Sequence, residues 1–215
     1  MRRKRTTSRP PDRPVSNRVF VYKLVTDNGG APCVRNGLLT LALCKPVIRR
    51  VARVGDWLYG FGGRNLEERL IYVARVTERI EQGLYYVDRG RYRAFRGRPD
   101  RIYRRVRGRF RRKRRALYHD GPRNLQHDLG VPPRYARAIV LVSSDFRYLG
   151  RDGTVDYRND LLLAKFVSEV GRGHRVVSGA VRERLGRLQR KLWKDVPPGA
   201  MRVATDPVNP AVRCH

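Results

Sequence analysis

The run Val54-Gly55-Asp56-Trp57-Leu58-Tyr59-Gly60-Phe61-Gly62-Gly63 limits the fold more than any other stretch of the chain. Gly55-Asp56 reads as a turn, the alternating aromatics after it as a strand, and the closing glycines as a break. Alternation places Trp57, Tyr59 and Phe61 on one face and Leu58, Gly60 and Gly62 on the other. After a short polar loop, Arg69 to Glu78 reads as another strand. Two strands so close predict an antiparallel pair within a curved sheet or small barrel.

Other segments extend this core. Val19 to Val25 is a β-branched and aromatic run, hence a strand, and Asp27-Asn28-Gly29-Gly30 turns the chain after it. A second apolar run spans Gly37 to Ala42. Pro46 then suits the first turn of a short helix reaching Ala52, where a missing N–H costs nothing. Ala138 to Ser143 predicts a buried strand, followed by a turn region in which Phe146 and Tyr148 stand two apart. Val181, Leu185, Leu188 and Leu192 recur at helical spacing, so the C-terminal part is expected to be helical until Pro197-Pro198. The fold class expected is α+β, a small barrel or curved sheet with short helices and a C-terminal helical extension. The expected division is a basic arm at 1–18, a nucleic-acid-binding domain at 19–157 with an Arg-rich insertion at about 83–117, and the extension at 158–215.

Charge narrows the partner. The 215 residues carry 49 Lys and Arg against 19 Asp and Glu, a formal net charge of +30. Only seven of those basic residues are lysines, which leaves 42 arginines. Codon bias exchanges Lys for Arg but does not create so large an excess over acid. A polyanion balances it, and DNA or RNA is the usual one, because neutralising phosphates releases condensed counterions. An anionic membrane surface is the competing reading; no apolar run is long enough to span a bilayer, so no membrane span is expected, and nucleic acid rather than a membrane is the expected partner. Cys33, Cys44 and Cys214 form no CxxC pair and read as reduced thiols of a cytosolic protein.

The phosphate-binding candidates are Arg104, Arg105, Arg107, Arg109, Arg111, Arg112, Lys113, Arg114 and Arg115, in a stretch where Tyr85, Tyr86, Tyr92, Phe95, Tyr103 and Phe110 interleave with arginine. Guanidinium forks hold phosphates and rings stack on bases. The competing reading is a loop whose rings pack back on the sheet. Trp57, Tyr59 and Phe61 either wall a base pocket or fill the core, with Gly60, Gly62 and Gly63 letting a ligand approach the backbone beside Phe61 in the first case. His119-Asp120 and His127-Asp128 read as surface or structural pairs, since a metal hydrolase needs more converging ligands. No Walker loop, GxGxxG or GxSxG occurs, so no cofactor and no metal are expected, and a binding domain is favoured over an enzyme.

Val54-Gly55-Asp56-Trp57 together with Tyr72-Val73-Ala74-Arg75-Val76 resembles the PUA-like superfamily of EVE, ASCH and YTH domains. Tyr22-Lys23-Leu24, Asp27 to Cys33, Leu41 to Pro46, Gly55-Asp56-Trp57 and Gly60-Phe61-Gly62 look like the N-terminal pattern of the second nucleotide-modification-associated domain of phages and bacteria. Asp100 with Tyr103, Tyr118-His119, and Val140 to Ser143 through Phe146, Tyr148 and Gly150 look like its later part. The resemblance implies a bacterial or phage-infected cytoplasm and nucleotide-modifying enzymes as company. It also implies a pocket for a modified or flipped base, lined by Thr26, Asp27, Asn28, Cys44, Lys45, Phe61 and Gly62. The alternative is an enzyme of base modification or hydrolysis using Asp27, Asp100, His119 and Asp128. A non-specific architectural protein is the third reading.

Overall fold

The computed structural model describes residues 17–121, 123–150 and 152–198. Apart from Asn17 and Arg18, the expected basic arm lies outside the described residues, as does Cys214. In chain order the elements are β1 (Val19–Leu24), β2 (Cys33–Arg35), β3 (Leu38–Leu41), α1 (Pro46–Val51), β4 (Trp57–Gly62), β5 (Leu70–Arg75) and β6 (Glu78–Ile80). They continue with β7 (Tyr103–Val106), β8 (Arg109–Arg112), α2 (Asn124–Leu129), β9 (Val140–Ser143), β10 (Asp145–Tyr148), α3 (Leu161–Ser168), β11 (His174–Val177) and α4 (Gly179–Asp195).

A five-stranded sheet in the order β10-β5-β4-β1-β11 carries the aromatic strand at its centre. There β4 lies antiparallel to β5, as expected, and parallel to β1. A four-stranded sheet has the order β2-β3-β9-β6, and β7-β8 stand apart as a hairpin. The class is mixed α+β. The barrel half of the expectation is corrected: among the described residues no sheet closes, because β10 and β11 remain as opposite edges of the larger one.

Side-chain alternation dictates the stacking. Phe20, Tyr22, Leu24, Leu58, Tyr72 and Ala74 face Leu39, Leu41 and Leu141 of the smaller sheet, with Ile48 of α1. Val19, Val21, Tyr59, Phe61 and Val73 point the other way, under Leu163 and Val167 of α3 and Leu185, Leu188 and Leu192 of α4. Each buried Val, Leu, Ile or Phe among them stabilises by roughly 1.5–3 kcal/mol relative to exposure. Beyond the smaller sheet, Ile80, Val140 and Val142 meet Tyr85, Tyr86, Tyr103, Phe110 and Tyr135. The molecule is therefore layered: helices, five-stranded sheet, four-stranded sheet, then a tyrosine-rich layer bearing the hairpin.

The Gly55-Asp56 turn has a structural task. Gly55 takes a φ of 93°, which only glycine adopts without strain. The fully buried Asp56 carboxylate accepts the backbone N–H groups of Arg18 and Arg53 and the Arg18 guanidinium, each at 2.8 Å. This knot fastens the start of β1 to the start of β4.

Candidate nucleic-acid interface and base pocket

The Arg-rich stretch is not a loop. Arg107 and Gly108 have φ of 47° and 78°, positive at both central positions as a type I′ hairpin turn requires. Tyr103 then pairs with Arg112, Arg104 with Arg111, Arg105 with Phe110 and Val106 with Arg109. Tyr103 and Phe110 are buried, so rings anchor the hairpin from below. Arg104, Arg105, Arg107, Arg109, Arg111, Arg114 and Arg115 are exposed. Among the described residues none of these seven forms an ion pair. Arg104 stands directly across from Arg111, and like charges so placed repel. Arg112 and Lys113 differ. Both are half-buried, and Arg112 donates to the carbonyls of Ala116 and Tyr118 at 2.6 and 3.1 Å, which closes the base of the hairpin.

The residues following β1 and preceding α1 meet at a second place. Asp27 is buried and accepts the Tyr148 hydroxyl at 2.7 Å. Tyr22 and Tyr72 share a short hydroxyl–hydroxyl bond beside it, and the Asp27 charge contributes to holding both phenols above their usual range, after burial. Lys45 extends over the Tyr22 ring, its Nζ 5.2 Å from the centroid. Burial pushes its ammonium down to about 8. Asn28 and Cys44 reach the same neighbourhood through the segment before α2. Tyr118 donates to the Asn28 carbonyl at 3.0 Å, and His119 Nε2 lies 3.4 Å from Cys44 Sγ. A Cβ on Gly30 would sit 2.9 Å from the Tyr118 ring, so glycine is what lets this loop close. Thr26 is half-buried at the rim.

Not every expected pocket residue is there. Trp57 and Phe61 stand on the opposite face of the five-stranded sheet, Phe61 edge-on to Tyr157 at 5.1 Å and Trp57 edge-on to Trp193 at 5.4 Å. Gly62 shares the Asp27 side of the sheet but is covered by Leu66, which a Cβ would meet at 2.4 Å. The Gly60 gap is likewise filled by the Tyr72 ring, 2.2 Å from where a Cβ would stand. The glycines admit side chains of the core.

The alternative catalytic residues divide among separate networks. His119 Nδ1 and Asp128 Oδ2 are 2.5 Å apart, and Tyr103 donates to the same oxygen at 2.7 Å. Asp128 also accepts the Cys44 backbone N–H. Asp100 sits in another network, accepting Tyr85 at 2.6 Å and Thr40 at 2.5 Å with the Arg98 Nε 3.7 Å away. Burial raises the Asp100 carboxyl above its ordinary value against the pull of those partners. Asp27 is in neither network. Among the described residues no group of three or more His, Cys, Asp or Glu side chains is placed to hold a metal ion.

Cys33 is a free buried thiol pushed up to about 12, chiefly by burial. Sequence reasoning misses Arg49. Its guanidinium is fully buried and donates to the carbonyls of Cys44, Asp128, Arg137 and Ile139 at 2.7 to 3.0 Å. In sequence it looks like the polar side of a short helix, and nothing local distinguishes it from Arg50. It holds the consecutive left-handed residues Cys44 and Lys45, with φ of 56° and 39°, against Asp128.

No helix among the described residues is long and apolar enough to cross a membrane. A family model described as nucleotide modification associated domain 2 matches residues 16–194 of the chain. No curated protein and no solved structure matches it.

Proposed function

The chain belongs to the nucleotide modification associated domain 2 family, and from that premise we propose that it binds nucleic acid through its arginine hairpin and reads a modified or flipped base. The observation that carries the reading is the hairpin itself: an ordered platform whose exposed arginines have no carboxylate among the described residues to neutralise them. Phosphates fit that platform, because each one bound gains a charge-assisted bond and relieves repulsion such as that between Arg104 and Arg111. DNA and RNA share this chemistry.

The base pocket is proposed at Thr26, Asp27, Asn28, Cys44 and Lys45, in a PUA-like arrangement. Support comes from β1, the short α1 and the Gly55-Asp56 turn into β4 with β5 alongside, the order that resembles that superfamily. Asp27, held by the Tyr148 hydroxyl, and Lys45 set an anionic and a cationic group beside the Tyr22 ring, the polar character that a base edge calls for. Flipping costs a few kcal/mol, which several phosphate bonds offset. We place the activity in the cytoplasm of a bacterial or phage-infected cell, in company with nucleotide-modifying enzymes. The test is competition between otherwise identical strands with plain and modified bases. At least tenfold preference, lost in Lys45→Gln and Asp27→Asn, is expected. Equal binding of every strand would remove the base pocket and leave phosphate contact alone.

A second reading rests on the relay next to Cys44. There His119, Asp128 and Tyr103 are hydrogen-bonded in the kind of geometry a base-modifying or hydrolytic enzyme uses for proton transfer. Turnover of nucleotides or strands that disappears in Asp128→Asn, in a protein of unchanged fold, would establish it.

A further inference from the structure

A groove of about 730 Å³ lies between the β1–β4 side of the larger sheet and α4. Asn17, Trp57, Arg182, Glu183, Arg187 and Arg190 line it. All three arginines are exposed and none forms an ion pair among the described residues, whereas their neighbour Arg184 is bound to Asp160 at 2.5 Å. Among the described residues Glu183 is the one carboxylate in the lining, so this lining is net cationic. Its aromatic wall is fixed. Trp193 donates Nε1 to Asp145 at 3.0 Å, carries the Arg147 guanidinium at 4.4 Å, and meets Trp57 edge-on.

We propose that this groove is a second ligand site, taking a nucleoside phosphate with its base against Trp57 and its phosphate on Arg182, Arg187 and Arg190. The volume falls in the range of small-molecule pockets and exceeds what a bare phosphate needs. Indole provides a π-face for any base, and guanidinium forks take phosphate oxygens in pairs. Because Trp57 is held by Trp193 before any ligand arrives, little ordering is required on binding. The site is separate from the hairpin. It lies on the helix side of the larger sheet, while the hairpin packs beyond the smaller one, so both sheets stand between them. The ligand is either a free nucleotide or the terminal nucleotide of a strand.

Trp57 and Trp193 are the chain's two tryptophans, which makes intrinsic fluorescence a local reporter. The full chain is titrated with deoxyadenosine monophosphate, with a 5′-phosphorylated eight-base oligothymidine, and with inorganic phosphate. Saturable quenching by the nucleotide or the strand is expected, each marking its own source. It should weaken at least tenfold in Arg187→Gln/Arg190→Gln, and quenching by the mononucleotide should persist in Arg104→Gln/Arg111→Gln, with melting temperatures unchanged. Quenching by inorganic phosphate as strong as by the nucleotide would overturn the role of the base. No quenching by nucleotide or strand, or mononucleotide quenching that follows the hairpin variant, would overturn the site. Loss of modified-base preference at Lys45 leaves this titration untouched, so the two proposals fail separately.

Discussion

Arginine does opposite things in two layers of this molecule. Arg49 is buried and commits its donors to four backbone carbonyls, and Arg98 does the same with the carbonyls of Cys33, Arg35 and Leu38 and the Thr40 hydroxyl. In the hairpin, Arg112 bonds the fold and Arg105 lies over the Phe110 ring, while the other arginines point to solvent. The acids follow the same division. Asp56, Asp100 and Asp128 are buried and committed to the core, whereas among the described residues no acid reaches Arg104, Arg109 or Arg111. A net charge of +30 therefore describes no single surface. Part of the positive charge is internal structure, and the part that remains unneutralised by acid on β7 and β8 is what a partner meets.

The contrast breaks most easily at Arg49. Arg49→Ala leaves Asp128 buried beside a vacated guanidinium site and strands four carbonyls, so it should cost about 3–5 kcal/mol, seen as a fall in the urea midpoint. A loss below about 1 kcal/mol would mean the buried arginines are no more structural than the exposed ones. Gly60→Ala should cost about 1–3 kcal/mol, because its Cβ would clash with the Tyr72 ring. Tyr72→Leu in the same chain should recover part of that loss if the ring is what fills the gap.

Lys45 lies between the two classes. Its ammonium is lowered from 10.5 to about 8, so between those values the unfolded chain holds more protons than the folded one. Stability contributed by this group should therefore rise from pH 8 towards 10.5, with a slope of at most one proton, and Lys45→Met should remove the rise. Binding of an anion at Lys45 has the opposite dependence and should weaken as pH passes about 8.

Period and composition expose much of the fold but little of the site. The strand read at Val19 to Val25 is β1, the alternating aromatics are β4, and the leucines at helical spacing are α4, because each sets apolar against polar residues at a regular interval. The β7–β8 hairpin is hidden in the sequence, since arginine occupies both faces and erases that contrast. His174 to Val177, within a region read as helical, is a strand because β1 offers a free edge, which is a tertiary fact. Alternation puts Trp57 and Phe61 on one face correctly, yet cannot say that α3 and α4 cover that face while Asp27 and Lys45 lie on the other. Tyr148, Tyr118 and Arg49 meet the site across about 90 residues or more of chain or by burial alone, and of these Tyr118 and Tyr148 are marked in the sequence by family likeness alone.

If the hairpin arginines are phosphate ligands, the salt dependence of binding reports them most directly. Affinity for an unmodified strand is measured by anisotropy over a salt series for the native chain and for Arg104→Gln/Arg109→Gln/Arg111→Gln. The slope of log affinity against log salt should become shallower by about 3, one for each phosphate that no longer has an arginine, with the urea midpoint unchanged or slightly raised. An unchanged slope in a folded triple variant would contradict this assignment and place the polyanion elsewhere on the surface.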